Sequence, residues 1–153
     1  MSGSTQAAAN DSGRFTAEER SAMKERAAEL RAEARRGSAA AKAAEAEAQV
    51  LAKIAELPAD DRAIAERVHA IVREVAPDLA PRTWYGMPAY AKDGKVLCFL
   101  KPAGKFESRY ATLGFEDPAA LDDGQMWPTS YALTAMTPDV EQALADLIRR
   151  AAA

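Results

Sequence analysis

The fold class predicted by this sequence is α+β: a small twisted antiparallel sheet with helices packed on one face, preceded by an N-terminal helical arm. Three observations predict it. Of the ten aromatic residues only Phe15 precedes Trp84, so bulky core material is concentrated in the second half of the chain. Two segments, near residues 60–75 and 138–150, place apolar residues at helical spacing. Between them the chain alternates as strands do, and Asp93-Gly94 interrupts it with a two-residue hairpin signal.

Residues 1–14 are small and polar, with nothing to bury, and read as a disordered tail. The arm follows over 15–49. Thr16 and Glu19 have capping-box spacing, and Gly37 supplies a stop, which predicts one helix over 16–36 and a second, alanine-rich one after it. The first presents Met23, Ala27, Leu30 and Ala34 as a narrow, weakly hydrophobic stripe. The second becomes apolar only toward Val50, Leu51, Ile54 and Leu57, where the α+β domain of residues 50–153 begins. Pro58 ends it, and Asp60 is placed to cap the next helix. There Ile64, Val68, Ile71, Val72 and Val75 form one face that must cover a core.

Pro77 and Pro81 stop that helix and deliver the chain, extended, to TWYGMPAYAKDGK. In that run Gly86 permits a bend fixed by Met87-Pro88, and Trp84 and Tyr85 fall on opposite faces. PAYAK and KVLCFLK pair across Asp93-Gly94, which suits a type I′ turn. KFESRYATLGF alternates and predicts a third strand, EDPAALDDGQ a short helix or pair of turns, and TSYALTAM a fourth strand. Thr137 and Pro138 then open a last helix with Val140, Leu144, Leu147 and Ile148 inward and Arg149 and Arg150 in its final turn.

With 153 residues, 48% of them hydrophobic, the chain can bury a core without disulfides or a structural metal. One cysteine and one histidine cannot build the usual zinc site. No apolar stretch suits a signal peptide or a bilayer span, so a cytoplasmic protein without membrane contact is expected. The net charge of −3 gives no broad footprint for nucleic acid, which is not expected as a partner.

The element order, with APDLAPRTWYGMPAYAKDGKVLCFLKP after an amphipathic helix, resembles the YdhG-like family of bacterial domains of unknown function. Some members of that family are described as frataxin-like iron chaperones. The resemblance covers roughly the last hundred residues and rests on the aromatic-Tyr-Gly-Met-Pro turn and its hairpin, with the arm outside it. It implies an α+β fold and raises iron as a ligand.

Iron at an open site takes oxygen and imidazole donors. Glu116, Asp117, Asp122 and Asp123 are the candidate metal residues, with Asp60, Asp61, Glu66, Glu74 and Asp78 on or near the preceding helix. None has compelling ligand spacing, and a solvated helix face and acidic loop is the simpler account of them. Cys98 and His69 are the obvious catalytic pair, but a cysteine inside VLCFL reads as a small buried hydrophobe and His69 as a residue at the edge of an apolar stripe. A non-enzymatic protein is therefore expected.

Aromatic and cationic residues over the strands form the candidate ligand set: Trp84, Tyr85, Met87, Tyr90, Lys101, Arg109, Tyr110 and Trp127. They could wall a site for a small planar or anionic ligand, although alternation places Arg109 and Tyr110 on opposite faces and packing competes for every ring. The sequence thus points to a binding domain for a small molecule or metal on its sheet side. The alternative is a protein–protein interaction or dimerisation module acting through the arm, with a homodimer as one form of it.

Overall fold

The computed structural model of the chain describes residues 15–153; the tail expected over 1–14 lies outside the described residues. The chain divides into two compact units, one ending at Lys42 and the other spanning Ala43–Ala153. Helix α1, Ala17–Ala55, runs from the first into the second. Thr16 Oγ1 accepts from the Glu19 N–H at 3.1 Å, half of the expected capping box.

The expected break at Gly37 is absent, and α1 is one helix of 39 residues. A mid-helix glycine costs only about 1 kcal/mol, and the alanine, lysine and glutamate residues after it favour continuing. Ending there would also orphan carbonyls that the next turn satisfies. Pro58, which lacks an N–H, sets the real boundary. In the first unit Met23 and Leu30 are half exposed, at 50% and 49%.

The second unit holds the end of α1, helix α2 (Ala59–Val75), strands β1 (Ala80–Trp84), β2 (Met87–Lys92), β3 (Lys95–Lys101), β4 (Ala111–Phe115) and β5 (Ser130–Leu133), and helix α3 (Pro138–Ala152). The strands form an antiparallel sheet in the order β1-β2-β3-β4-β5. There are five strands where four were expected, because APRTW pairs along β2 instead of merely leading to it. Met87 and Pro88 belong to β2, so the bend is made by Tyr85 and Gly86 alone, with φ of 50° and 74°. Positive φ at both central residues is the type I′ requirement, and Asp93-Gly94 meets it the same way with φ of 51° and 81°.

The third predicted strand is shortened: only Ala111–Phe115 pairs, and Phe106, Ser108 and Tyr110 lie in the preceding loop. Asp60 does not cap α2, whose N-cap is Pro58. Its neighbour Asp61 is buried instead and accepts from the Gly104 N–H with both oxygens, at 3.2 and 3.0 Å. That carboxylate ties the β3–β4 loop to the start of α2. Thr137 caps α3 as expected, accepting from Val140 N–H at 3.3 Å.

One face of the sheet meets the helices. Val50 and Ile54 of α1, Val68 and Val72 of α2 and Leu144 and Ile148 of α3 cluster with Tyr90, Cys98, Leu100 and Leu113. Each fully buried side chain such as Ile148 or Leu113 contributes about 1.5–3 kcal/mol by leaving water. A bulge helps: Tyr90 pairs with Cys98 but Ala91 with Val96, which leaves Leu97 as an extra residue, and both Leu97 and Cys98 are buried in the core.

Candidate functional site

Strand register sorts the side chains of the opposite face. Directly paired residues point the same way, so Arg82, Ala89, Phe99, Gly114 and Ser130 make one row across all five strands. Trp84 pairs with Met87, and Lys101 with Thr112 and then Ala132, in the flanking row. Trp84, Met87 and Phe99 take no part in the helix-side core. Trp84 and Phe99 lie 5.2 Å apart between ring centroids, with an interplanar angle of 57°. Gly114 is a glycine for a reason of space: a Cβ there would run into the Phe99 ring.

Tyr85 extends this aromatic series at the β1–β2 turn. It is 81% exposed and its ring stands edge-on to Trp84 at 5.0 Å. The expected separation of Trp84 and Tyr85 onto opposite faces therefore fails, because Tyr85 is a left-handed turn residue outside the strand alternation. Beside the turn, Lys105 Nζ donates to the Gly86 carbonyl at 2.9 Å. The ammonium groups of Lys101 and Lys105 both lie over the Phe106 ring, at 5.2 and 5.7 Å from its centroid. Arg109 lies over Tyr110 at 5.3 Å, since both sit in the loop, where strand alternation does not apply.

A shallow groove of about 350 Å³ continues along this face, lined by Arg82, Trp84, Gly94, Lys95, Val96, Glu116, Asp117 and Pro118. Four charges, two of each sign, line it together with the half-buried Trp84. Such a groove can stack a flat ring on Trp84 and meet charged substituents from the ring's edge.

The remaining candidate residues divide. Tyr90 lines no open pocket: it is fully buried in the helix-side core. Trp127 packs half-buried against the same core, so it too belongs to the other side. Met87 is buried under the open face, while Lys101, Arg109 and Tyr110 stand at the loop end of the sheet. Of the acidic residues, Glu116 and Asp117 line the groove, and Asp122 and Asp123 are exposed in the loop beyond it. Among the described residues no three His, Cys, Asp or Glu side chains gather where a metal ion could be held. The donor set therefore does not fit an iron site.

His69 and Cys98 are both buried, and their surroundings are informative. His69 Nδ1 meets the Tyr90 hydroxyl at 2.8 Å and Nε2 meets Glu47 at 3.2 Å. An ionised carboxylate can only accept, so Nε2 carries a proton, and in the neutral imidazole the Tyr90 hydroxyl then donates to Nδ1. Arg73 Nε holds the same Glu47 oxygen at 3.2 Å. Burial pushes the Cys98 thiol up to about 12, and burial above all raises the Tyr90 phenol beyond its ordinary range. A thiol in that state is not a nucleophile near neutrality. The Glu47–His69–Tyr90 chain, which joins the end of α1 to α2 and the sheet, is missed in the sequence because its members lie 21 and 22 residues apart on different elements.

No helix among the described residues is long and apolar enough to cross a membrane. No protein-family model, curated protein or solved structure matches this chain.

Proposed function

We infer that the second unit is a binding domain, without chemistry of its own, that takes a small planar ligand bearing an anionic group on the helix-free face of its sheet. The observation that supports this most is the Trp84–Phe99 pair, which stands outside the helix-side core with its rings in contact. A domain of this size spends aromatic residues on packing first, so two large rings left on the other side of the sheet ask for a partner. Arg82 and Lys95 in the groove supply the charge that would orient the ligand, and Glu116 and Asp117 favour one that also carries a donor.

A thermal-shift panel of aromatic carboxylates and nucleoside monophosphates tests the reading. Saturable stabilisers should be found, weakened at least about tenfold in Trp84→Ala and Arg82→Gln, in line with one lost stacking or charge-assisted contact. The same ligands should still stabilise Trp127→Ala, whose ring packs on the other side. A panel without any stabiliser, or stabilisers indifferent to Trp84, removes the proposal.

A second reading places function in α1. In the first unit Met23, Ala27, Leu30 and Ala34 share one stripe, and its two large residues are half exposed. A second copy of this chain would cover them. Light scattering on the full chain and on one starting at Ala43 should give a dimer and a monomer, respectively; two monomers at high concentration exclude it.

A further inference from the structure

The sheet has two outer strands, β1 on one side and β5 on the other, and they are built differently. In an antiparallel ladder alternate residues turn their N–H and C=O groups toward the neighbouring strand, and the residues between turn theirs away. The Phe115 N–H donates to the Thr129 carbonyl at 2.8 Å, so Thr129, Tyr131 and Leu133 spend their backbone groups on β4. Ser130 and Ala132 are left pointing outward. Both are exposed, and among the described residues neither has another backbone partner.

On β1 the same parity leaves Pro81 and Thr83 outward, because Trp84 closes the two-residue turn with Met87. Pro81 has no N–H to offer, and the exposed Arg82 beside it adds a charge. A proline and a charge are the usual protections of an outer strand against further pairing. β5 has neither. Residues 124–138 contain no charged side chain, the longest such run in the chain, although 28% of all residues are charged, and β5 lies in the middle of it. On the helix side the row Leu100–Leu113–Tyr131 ends at this edge with Tyr131 half-buried, its ring edge-on to Phe115 at 6.0 Å.

We propose that the β5 edge docks an extended, uncharged peptide segment of a partner protein, which pairs antiparallel with Ser130 and Ala132 as a sixth strand and lays an apolar side chain against Tyr131. The outward N–H and C=O groups fix the partner as a strand, since only another extended backbone meets both at this spacing. The charge-free run selects an uncharged one, because no side chain there would compensate a charge taken out of water. Length decides between a peptide and a second copy of this chain. Four residues span about 13 Å, and joining two folded copies along that edge alone buries less than the roughly 1,000 Å² of a stable interface. Neither the Trp84 groove nor α1 takes part.

The test uses the full chain and a capped peptide, Thr-Val-Thr-Val-Thr with a solubilising lysine at each end, followed by amide chemical shifts. The titration should saturate, with the shifts concentrated on residues 129–134. Directly opposed residues share a face, so the threonines should lie opposite Ser130 and Ala132 and turn their N–H groups to β5, and the valines should flank Tyr131. Methylating the threonine nitrogens should therefore abolish binding, and methylating the valine nitrogens should leave it unchanged. Ala132→Pro removes one outward N–H without touching a bond to β4, and affinity should fall at least about tenfold. Its Tm is measured alongside, and the methylated peptides carry the conclusion if that variant melts early. The proposal is overturned if the peptide does not saturate, if methylation acts alike on both sets or more on the valines, or if the shifts gather on β1. It is also overturned if residues 129–134 shift with protein concentration in the absence of peptide, since a second copy then covers the edge.

Discussion

Replacing Tyr90 by phenylalanine removes one oxygen and leaves the ring where it is. In the native protein that hydroxyl donates to His69 Nδ1 at 2.8 Å, and Tyr90 is fully buried. The imidazole cannot recover by moving its proton, because Nε2 must keep it to serve Glu47 at 3.2 Å. Tyr90→Phe therefore strands a buried acceptor at a cost of about 1–3 kcal/mol, and we take about 2. For a domain of this size roughly 4 °C accompanies each kcal/mol, so Tm should fall by about 8 °C. Urea unfolding followed by Trp84 and Trp127 fluorescence should give the same loss with an unchanged m-value. Glu47→Ala combined with Tyr90→Phe should be non-additive by at least about 0.5 kcal/mol, since both changes act on one imidazole. A Tyr90→Phe loss below about 0.5 kcal/mol, or strict additivity, refutes the assigned direction of the hydrogen bonds.

The thiol of Cys98 sets an alkaline limit. Its folded value of about 12 lies above the unfolded one near 9, so the unfolded chain loses its proton first. The stability contributed is complete below pH 9 and is lost as pH rises from 9 toward 12; Cys98→Ala should flatten that limb, and an unchanged pH profile counts against the burial argument. Gly104→Ala puts a Cβ 2.6 Å from Asp61 Oδ2 and should cost about 1–3 kcal/mol by driving the carboxylate off the Gly104 N–H, so a Tm equal to the parent's contradicts this contact. A chain starting at Ala48 lacks Glu47 and leaves His69 Nε2 and Arg73 Nε without their shared carboxylate. It should melt several degrees below one starting at Ala43, by the same scaling, and equal melting temperatures would remove Glu47 from the account.

Periodic segments were the legible ones. Val68, Ile71 and Val72, and Leu144 and Ile148, are buried where a 3.6-residue period puts them, and Thr137 and Asp93-Gly94 act through local chemistry that a short window contains. Elements whose fate depends on partners were not. APRTW is a strand because β2 is there to pair with it, Phe106 and Tyr110 lie outside β4 because β5 reaches only as far as Ala111, and Gly37 is carried through by its helical neighbours.

The candidate site divides along the same line. Composition already placed rings and cations together in residues 84–131, and the turn chemistry at Gly86 and Gly94 was readable. Which rings face away from the helices was decided by register across five strands and by the bulge at Tyr90 and Ala91, which buries Leu97 and Cys98 together. A side chain's face depends on strand parity, and one extra residue reverses it. The α+β class, the inward faces of α2 and α3 and the Asp93-Gly94 hairpin turn were carried by the sequence alone, since these follow from neighbours along the chain. Only the tertiary structure assigned Tyr90 to the core, Trp84 and Phe99 to the open face, and Glu47 to His69, because those pairings join residues distant in sequence whose contacts exist only once the sheet and helices have met.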